Sequence, residues 1–487
     1  MENLKERAIR GGLAKLIGQG VGILLRVGSL ALLARLLSPS DFGIASMIIV
    51  LGGFFDILAT AGLVSATVQA ATITHEQRSK LFWINLSFGA ALALTCAAAA
   101  PLLASFYNEP RMLWVAPAYA ATFLFTGAAT QHVALLERQL RYVMVTYIEL
   151  GSQLAYAVCA IVLAALGFGY LALILAAILQ AVTATVSVWL ATRWLPGGPR
   201  GQAEIGSFLR FGATLTLNNV VVWLAYNTEK VLLGRFWGAA ALGIYERSYQ
   251  LINLPVSSIN AAVAGVTLAS LSRLQDDPAR HRSYFLKGYS ILQSMAIPLT
   301  AFCAVFGDDI VFVMLGSQWT EAVPVFRLLT PTVLFFAIVN PLQGLLLSLG
   351  LQRRSLYLAM VIAPLVISAV ALGIPYGPNG VAFAFSAAMS LWLVPHVIWC
   401  LHGTSIAPRD LAIAVGRPLL ASVVAGLVGL VAHHQLAGME LPLLRLFLGG
   451  AVMAGTYFGV LLFVLGQRAM YLDLWQGLRG AGRTAGL

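Results

Sequence analysis

The stretch IVLAALGFGYLALILAAIL at residues 161–179 carries no charge and no alternation of polar with apolar side chains. Residues 90–104, AALALTCAAAAPLLA, behave the same way. A transmembrane β-strand needs an alternating segment of about ten residues, with one face to lipid and one to the lumen. Runs that are apolar on every side can cross a bilayer only as α-helices, which satisfy their own backbone groups. Working outward, the rest of the chain reads alike: of 487 residues 59% are hydrophobic and 10% charged, and the mean hydropathy is +0.85. Soluble domains carry roughly a quarter charged residues, so a soluble enzyme and a disordered chain are both excluded. The class is an all-α polytopic membrane protein.

A bilayer core takes about 20 apolar residues per helix. On that measure the spans fall near residues 13–36, 42–70, 81–106, 112–136, 143–166, 169–192, 207–228, 239–269, 284–306, 321–350, 355–374, 380–402, 410–432 and 441–466, fourteen in all. The first run, Leu13 to Leu37, is too long for a signal-peptide core and lacks a small-residue cleavage site, so it reads as an uncleaved span. Cys96, Cys159, Cys303 and Cys400 lie singly inside apolar runs, without metal-type spacing or a framework pair. They read as packing residues. The net charge of +11 belongs to cytoplasmic loops rather than to nucleic acid, and counting tests this. With the N-terminus inside, inside segments hold 22 of the 30 basic residues and outside segments six, with Arg26 and Arg247 inside spans. Both termini are therefore expected on the cytoplasmic face.

An offset of 200 residues aligns Leu33, Arg35, Gly43 and Ile44 with Leu233, Arg235, Gly243 and Ile244. Over residues 10–44 nine of 35 ungapped positions are identical. Each repeat carries six spans, an even number, so both halves enter the membrane in the same orientation. The expected domains are residues 1–193 as one six-helix bundle, 194–206 as a cytoplasmic linker, 207–402 as a second six-helix bundle, and 403–487 as spans thirteen and fourteen with a cytoplasmic tail. The two bundles are expected to enclose a central cavity in pseudo-two-fold arrangement.

Polar stripes mark the faces expected to line it. Lys15, Gln19, Gly22, Arg26 and Ser29 fall within an arc of about 80° in the first span. Glu246, Gln250, Asn253, Ser257 and Asn260 do the same in the eighth, with Arg247 beside them. Gly52, Asp56, Thr60 and Thr67 add a face of the second span, and Asn219, Trp223, Tyr226 and Lys230 a face of the seventh. Neutral polar residues are also ordinary glue between membrane helices. Arg26, Asp56 and Arg247 differ, because a lone charge at depth costs at least about 2.5–3.5 kcal/mol and faces a partner or water; pairing of Arg26 with Asp56 is one such arrangement. Glu149, Glu229 and Glu246 lie within two turns of a surface, where snorkelling competes with function. His433 and His434 fall in an outer loop without neighbouring carboxylates in sequence, and Asp308 and Asp309 read as a solvated turn, so no metal or other cofactor is expected.

The run Leu33-Ala34-Arg35-Leu36-Leu37-Ser38-Pro39-Ser40-Asp41-Phe42-Gly43, with Ala61-Gly62-Leu63 closing the next apolar segment, resembles the start of bacterial polysaccharide exporters. Ala241-Leu242-Gly243-Ile244-Tyr245-Glu246-Arg247-Ser248-Tyr249, Asn253-Leu254-Pro255, Ser270-Leu271-Ser272-Arg273-Leu274-Gln275-Asp276-Asp277 and Leu315-Gly316-Ser317-Gln318-Trp319 continue the match. Together they resemble Wzx-type flippases, the WzxC-like branch of the multidrug/oligosaccharidyl-lipid/polysaccharide superfamily. One departure is Thr267-Leu268-Ala269, where relatives often carry a Phe-Pro stretch.

The resemblance implies a non-enzymatic transporter in the bacterial inner membrane. It would pass a polyprenyl-diphosphate-linked oligosaccharide from the cytoplasmic to the periplasmic leaflet by alternating access, for exopolysaccharide, capsule or O-antigen, beside a polymerase and co-polymerase. A diphosphate seeks guanidinium, which nominates Arg26 and Arg247. Gln19, Asn219, Trp223, Tyr226, Gln250 and Asn253 would line the glycan cavity, and Asp56, Glu149 and Glu246 are the coupling candidates. The rivals are a lipid II flippase and a MATE-type multidrug or cation exporter of the same superfamily. An enzyme ranks behind both, because no connection is long enough to carry a catalytic domain.

Overall fold

The computed structural model describes residues 2–60, 63–70, 72–198, 206–272, 274, 277–468 and 471, and among them every regular element is helical. The helices are α1 (Glu2–Leu36), α2 (Pro39–Thr60), α3 (Leu63–Gln69), α4 (His75–Ala98), α5 (Ala100–Tyr107), α6 (Met112–Arg138), α7 (Tyr142–Ala165), α8 (Tyr170–Thr192), α9 (Gly206–Ser272), α10 (Pro278–Val305), α11 (Gly307–Leu315), α12 (Ala322–Leu329), α13 (Pro331–Ser348), α14 (Gln352–Gly373), α15 (Gly377–Leu401), α16 (Pro408–Gln435) and α17 (Pro442–Gly459). Among the described residues eleven helical stretches are long and apolar enough to cross a membrane. One of them, Arg353–Leu401, takes in both α14 and α15. The chain is a multi-pass membrane protein.

The helix ends follow local chemistry. Thr74 and Gln77 form a reciprocal capping box on α4, with Thr74 Oγ1 accepting from Gln77 N at 3.1 Å and Gln77 Oε1 from Thr74 N at 2.9 Å. Asp277 caps α10 by accepting from Arg280 N, and Pro278, Pro331, Pro408 and Pro442 open their helices where a missing N–H costs nothing. At the opposite ends, Arg141 donates to Ala191 O in the last turn of α8 and Arg354 to Cys400 O in the last turn of α15. Both place a cation where the helix carries negative partial charge.

The chain divides into two compact units, the first made of Met1–Arg247, Met314–Ala322 and Leu356–Phe385, the second of Ser248–Val313, Val323–Ser355 and Ser386–Leu487. In the first unit α4 packs on α6, α6 on α8, and α7 on both α8 and α1. Gly89 and Gly127 let α4 and α6 approach until each faces a carbonyl of the other, Phe123 O and Asn85 O; small residues allow this where lipid supplies no hydrophobic drive between helices. In the second unit α10 packs on α13 and α16, and α16 on α17.

The sequence run around Asp41 explains itself in the first unit. Asp41 Oδ2 accepts from Ser38 N at 3.0 Å and Ser38 Oγ at 2.6 Å, while Oδ1 accepts from Tyr170 N at 3.0 Å and so pins the start of α8. Nearby, Trp319 Nε1 donates to Ala34 O at 2.8 Å and its ring lies edge-on to Phe42, which seats Leu315-Gly316-Ser317-Gln318-Trp319 on the end of α1. A β-carbon on Gly43 would collide with Ala239 O, and one on Gly243 with Pro39 O. The contact is reciprocal and has the register of the 200-residue repeat, the self-complementarity expected about a two-fold axis.

Candidate functional site

Helix α9 is broken at Gly238, whose φ of 78° and ψ of −172° lie outside helical space and suit only a residue without a side chain. Lys230 and Glu246 show how far the chain turns there. Sixteen residues of straight helix would hold them about 24 Å apart, yet Lys230 Nζ lies 3.1 Å from Glu246 Oε2. The helix is therefore two limbs folded back on each other, and the fold-back gathers charge. Glu229 is fully buried, Lys230 is 8% exposed and the Glu246 side chain is 18% exposed. Both carboxylate oxygens of Glu229 lack a hydrogen-bond partner. Arg247, half-buried, holds its guanidinium carbon 4.7 Å from the centre of the Phe42 ring, a cation–π seat, while its Nε has no hydrogen-bond partner.

The other residues singled out in the sequence fall in five places. Trp223 packs on α2, its ring 5.3 Å from that of Phe54, and Asn227 Nδ2 donates to its carbonyl. Tyr226 is half-buried and Asn219 exposed on the same limb. Asp56 is half-buried on α2, one turn beyond Gly52, where the Tyr119 ring takes the space of a side chain. On α1, Gln19 is half-buried and Arg26 exposed, and Gly22 faces Gln153 of α7. Glu149 is exposed on α7. Gln250, half-buried, and Asn253, exposed, carry the face of Glu246 along the second limb into the second unit. Among the ion pairs of the described residues none joins Arg26 to Asp56. The side chains of Lys15, Thr60, Ser257, Asn260 and Thr267-Leu268-Ala269 lie outside the described residues, as do Arg273, residues 199–205 of the linker and the tail beyond 471.

A second charged cluster corrects the reading of His433 as a histidine without carboxylate companions. Packing of α10 against α16 brings His433 Nε2 to 3.2 Å from Asp309 Oδ2 and 3.6 Å from Asp308 Oδ1. Asp309 is fully buried, not a solvated turn residue, and Arg445 Nε donates to its Oδ1 at 2.9 Å, while Arg327 donates to Asp308 at 3.0 Å. Two guanidinium groups thus balance two carboxylates, and the network ties the ends of α11, α12, α16 and α17. Farther along α10 an apolar groove of about 590 Å³ opens against α17, lined by Met295, Pro298, Phe302, Gly450 and Phe458 among others.

The described residues form helices, many of them long enough to cross a membrane with charge buried between them, and taken with its relatives the chain is a multi-pass membrane transporter. Its fold is similar to that of lipid II flippase MurJ, whose inward closed structure superposes with a TM-score of 0.74 over 94% of this chain and 99% of that one at 14% identity. Residues 32–324 match the model of the polysaccharide biosynthesis protein family, and the chain belongs to that family. Lipopolysaccharide biosynthesis protein WzxC of Escherichia coli (strain K12) is 24% identical over 348 residues, 71% of each chain. Teichuronic acid biosynthesis protein TuaB of Bacillus subtilis (strain 168) is 27% identical over 317 residues, 62% of this chain and 63% of that one.

Proposed function

We propose that this protein flips polyprenyl-diphosphate-linked oligosaccharide units across the bacterial cytoplasmic membrane, from the cytoplasmic to the periplasmic leaflet, for surface polysaccharide assembly. Membership of the polysaccharide biosynthesis family supports the substrate class. The observation that carries the mechanism is Arg247, a permanent cation held on an aromatic face with an unsatisfied Nε donor. Guanidinium binds a diphosphate bidentately and never loses its charge. Arg26 is the second cation of the anion site, exposed on α1 and outside every ion pair of the described residues. Gln19, Asn219, Trp223, Tyr226, Gln250 and Asn253 supply hydrogen bonds and aromatic faces to the sugars, and the groove between α10 and α17 receives part of the polyprenyl tail.

We count fourteen spans by dividing Arg353–Leu401 between α14 and α15 and taking the two limbs of α9 as spans beside the other stretches. In our reading these form bundles at residues 1–193 and 207–402 joined by the linker 194–206, with 403–487 appended, and both termini are cytoplasmic. Alternating access of the bundles moves the substrate, with Asp56, Glu149 and Glu246 as coupling groups and a polymerase and co-polymerase downstream. Deleting the gene in its host and extracting lipids tests this directly. Build-up of one lipid-linked oligosaccharide with loss of one surface polymer is expected, and Arg247→Ala should reproduce the loss at normal protein level. Unchanged glycans together with new sensitivity to cationic drugs would replace the proposal with a drug exporter.

A further inference from the structure

The anion site proposed above rests on arginines, yet the fold-back of α9 holds a further cation, Lys230, which the sequence placed on the polar stripe of the seventh span without a role of its own. Lys230 Nζ faces Glu246 at 3.1 Å, and Glu246 is followed immediately by Arg247. Glu246 acts electrostatically on both cations. Its Oε2 accepts no hydrogen bond in spite of the short approach, whereas Lys230 Nζ donates to Asn227 Oδ1 at 3.3 Å. A buried pair selected for stability alone has its charges saturated by hydrogen bonds, because attraction repays desolvation only with good geometry. In this pair, 3.1 Å apart, the Glu246 side chain keeps 18% of its surface exposed and that of Lys230 9%, so the carboxylate is the partner that a better anion can replace. A diphosphate offers more charge and several acceptor oxygens, so it outcompetes a single carboxylate for a cation.

We infer that Lys230 is a third cation of the diphosphate site and that Glu246 is its internal placeholder, displaced when the diphosphate binds. The inference rests on the anion-site reading for Arg247 and adds a residue and an order of events to it. In the unloaded protein Glu246 neutralises Lys230 and lowers the cost of burying it. On loading, the carboxylate swings off and the diphosphate bridges Lys230 and Arg247. Glu229, whose charged neighbours are Lys230 on its own limb and Glu246 on the returning one, stays buried throughout.

The two readings of the ion pair predict opposite signs. If the pair is structural, breaking it from either side harms the protein alike. If Glu246 is a placeholder, removing it frees the site. The test uses the full-length protein purified in detergent and a farnesyl-diphosphate-linked glucose, a diphosphate diester that keeps its charge across the working pH range, with affinity measured by thermophoresis. Lys230→Met should weaken binding about tenfold or more, the worth of one hydrogen bond to a charged group, and Lys230→Arg should restore most of it. Glu246→Gln should tighten binding by about threefold to tenfold, since a like charge leaves the site. Thermal melting of each variant confirms that only folded protein is scored. Unchanged affinity in Lys230→Met, or weakening in Glu246→Gln equal to that in Lys230→Met, overturns the inference while leaving Arg247 in place. Absence of binding by the parent protein, or full binding by Arg247→Ala, removes the anion-site reading itself and the inference with it.

Discussion

Glu229 sits fully buried with both carboxylate oxygens lacking a hydrogen-bond partner, and an unsatisfied buried charge is among the most costly features a fold can carry. Exchange for the isosteric amide removes that charge and gives up its attraction to Lys230, which Glu246 also neutralises. Glu229→Gln is therefore expected to leave the melting temperature unchanged or raise it by up to about 2 °C, measured on purified protein in detergent. A fall of more than about 5 °C would show that the carboxylate has a structural role. The sequence could not make this distinction. Arg26, Asp56 and Arg247 stand out by depth alone, because a charge well inside an apolar run needs no partner to be noticed. Glu229 and Lys230 stand near a span end, where snorkelling explains a charge equally well, and their meaning depends on a fold-back at Gly238 that no periodicity announces. Asp309 and His433 are hidden for the same reason, being joined only by the packing of α10 on α16.

At the scale of elements, the described glycines of the first unit with the least room for a β-carbon lie between the start of α2 and the second limb of α9, where Gly43 faces Ala239 O and Gly243 faces Pro39 O. The opposing atoms are backbone carbonyls, which cannot swing aside as a side-chain end would. Gly43→Ala or Gly243→Ala should each cost about 1–3 kcal/mol, as overpacking does, and the double variant should cost less than the sum because both open one contact. Gly151→Ala on α7, where a new β-carbon meets nothing within 4 Å, is the matched control and should be neutral or slightly stabilising. Thermal denaturation of the four proteins decides, and equal melting of Gly43→Ala and Gly151→Ala would mean the contact yields freely. Here the sequence was a better guide than for the charges. Gly43 and Gly243 are already paired by the 200-residue offset, because a two-fold contact demands the same small residue on both sides. By contrast, the tie of Asp41 to the start of α8 and the hydrogen bond from Trp237 Nε1 to Ile374 O join residues that no offset or periodicity in the sequence pairs.

For the molecule as a whole, the boundaries of the eleven spanning stretches fall near those read from the sequence because helical membrane segments must be about as long as the bilayer is thick, and the basic-residue count proposes an orientation because such residues are retained on the cytoplasmic side. Length and hydropathy do not announce the break in α9 at Gly238, which only the backbone conformation there shows. The orientation has a direct test in α6. Asn108 precedes this helix and Gln139 follows it, both exposed, and the basic-residue count assigns them to opposite faces. The native thiols complicate labelling little, since Cys96, Cys303 and Cys400 are buried and Cys159 is half-buried, and all four can be exchanged for Ala or Ser in the labelling background. In intact spheroplasts a membrane-impermeant maleimide should modify Asn108→Cys and spare Gln139→Cys, and in inverted membrane vesicles the pattern should reverse. Reversal requires that α6 crosses the bilayer an odd number of times between the two positions. Because every later connection inherits its side from this one, labelling of both positions from the same face would move Arg141, Arg193 and Arg354 to the opposite side from that assigned and dissolve the 22 to six bias, leaving Lys230 and Arg247 opening from the wrong leaflet.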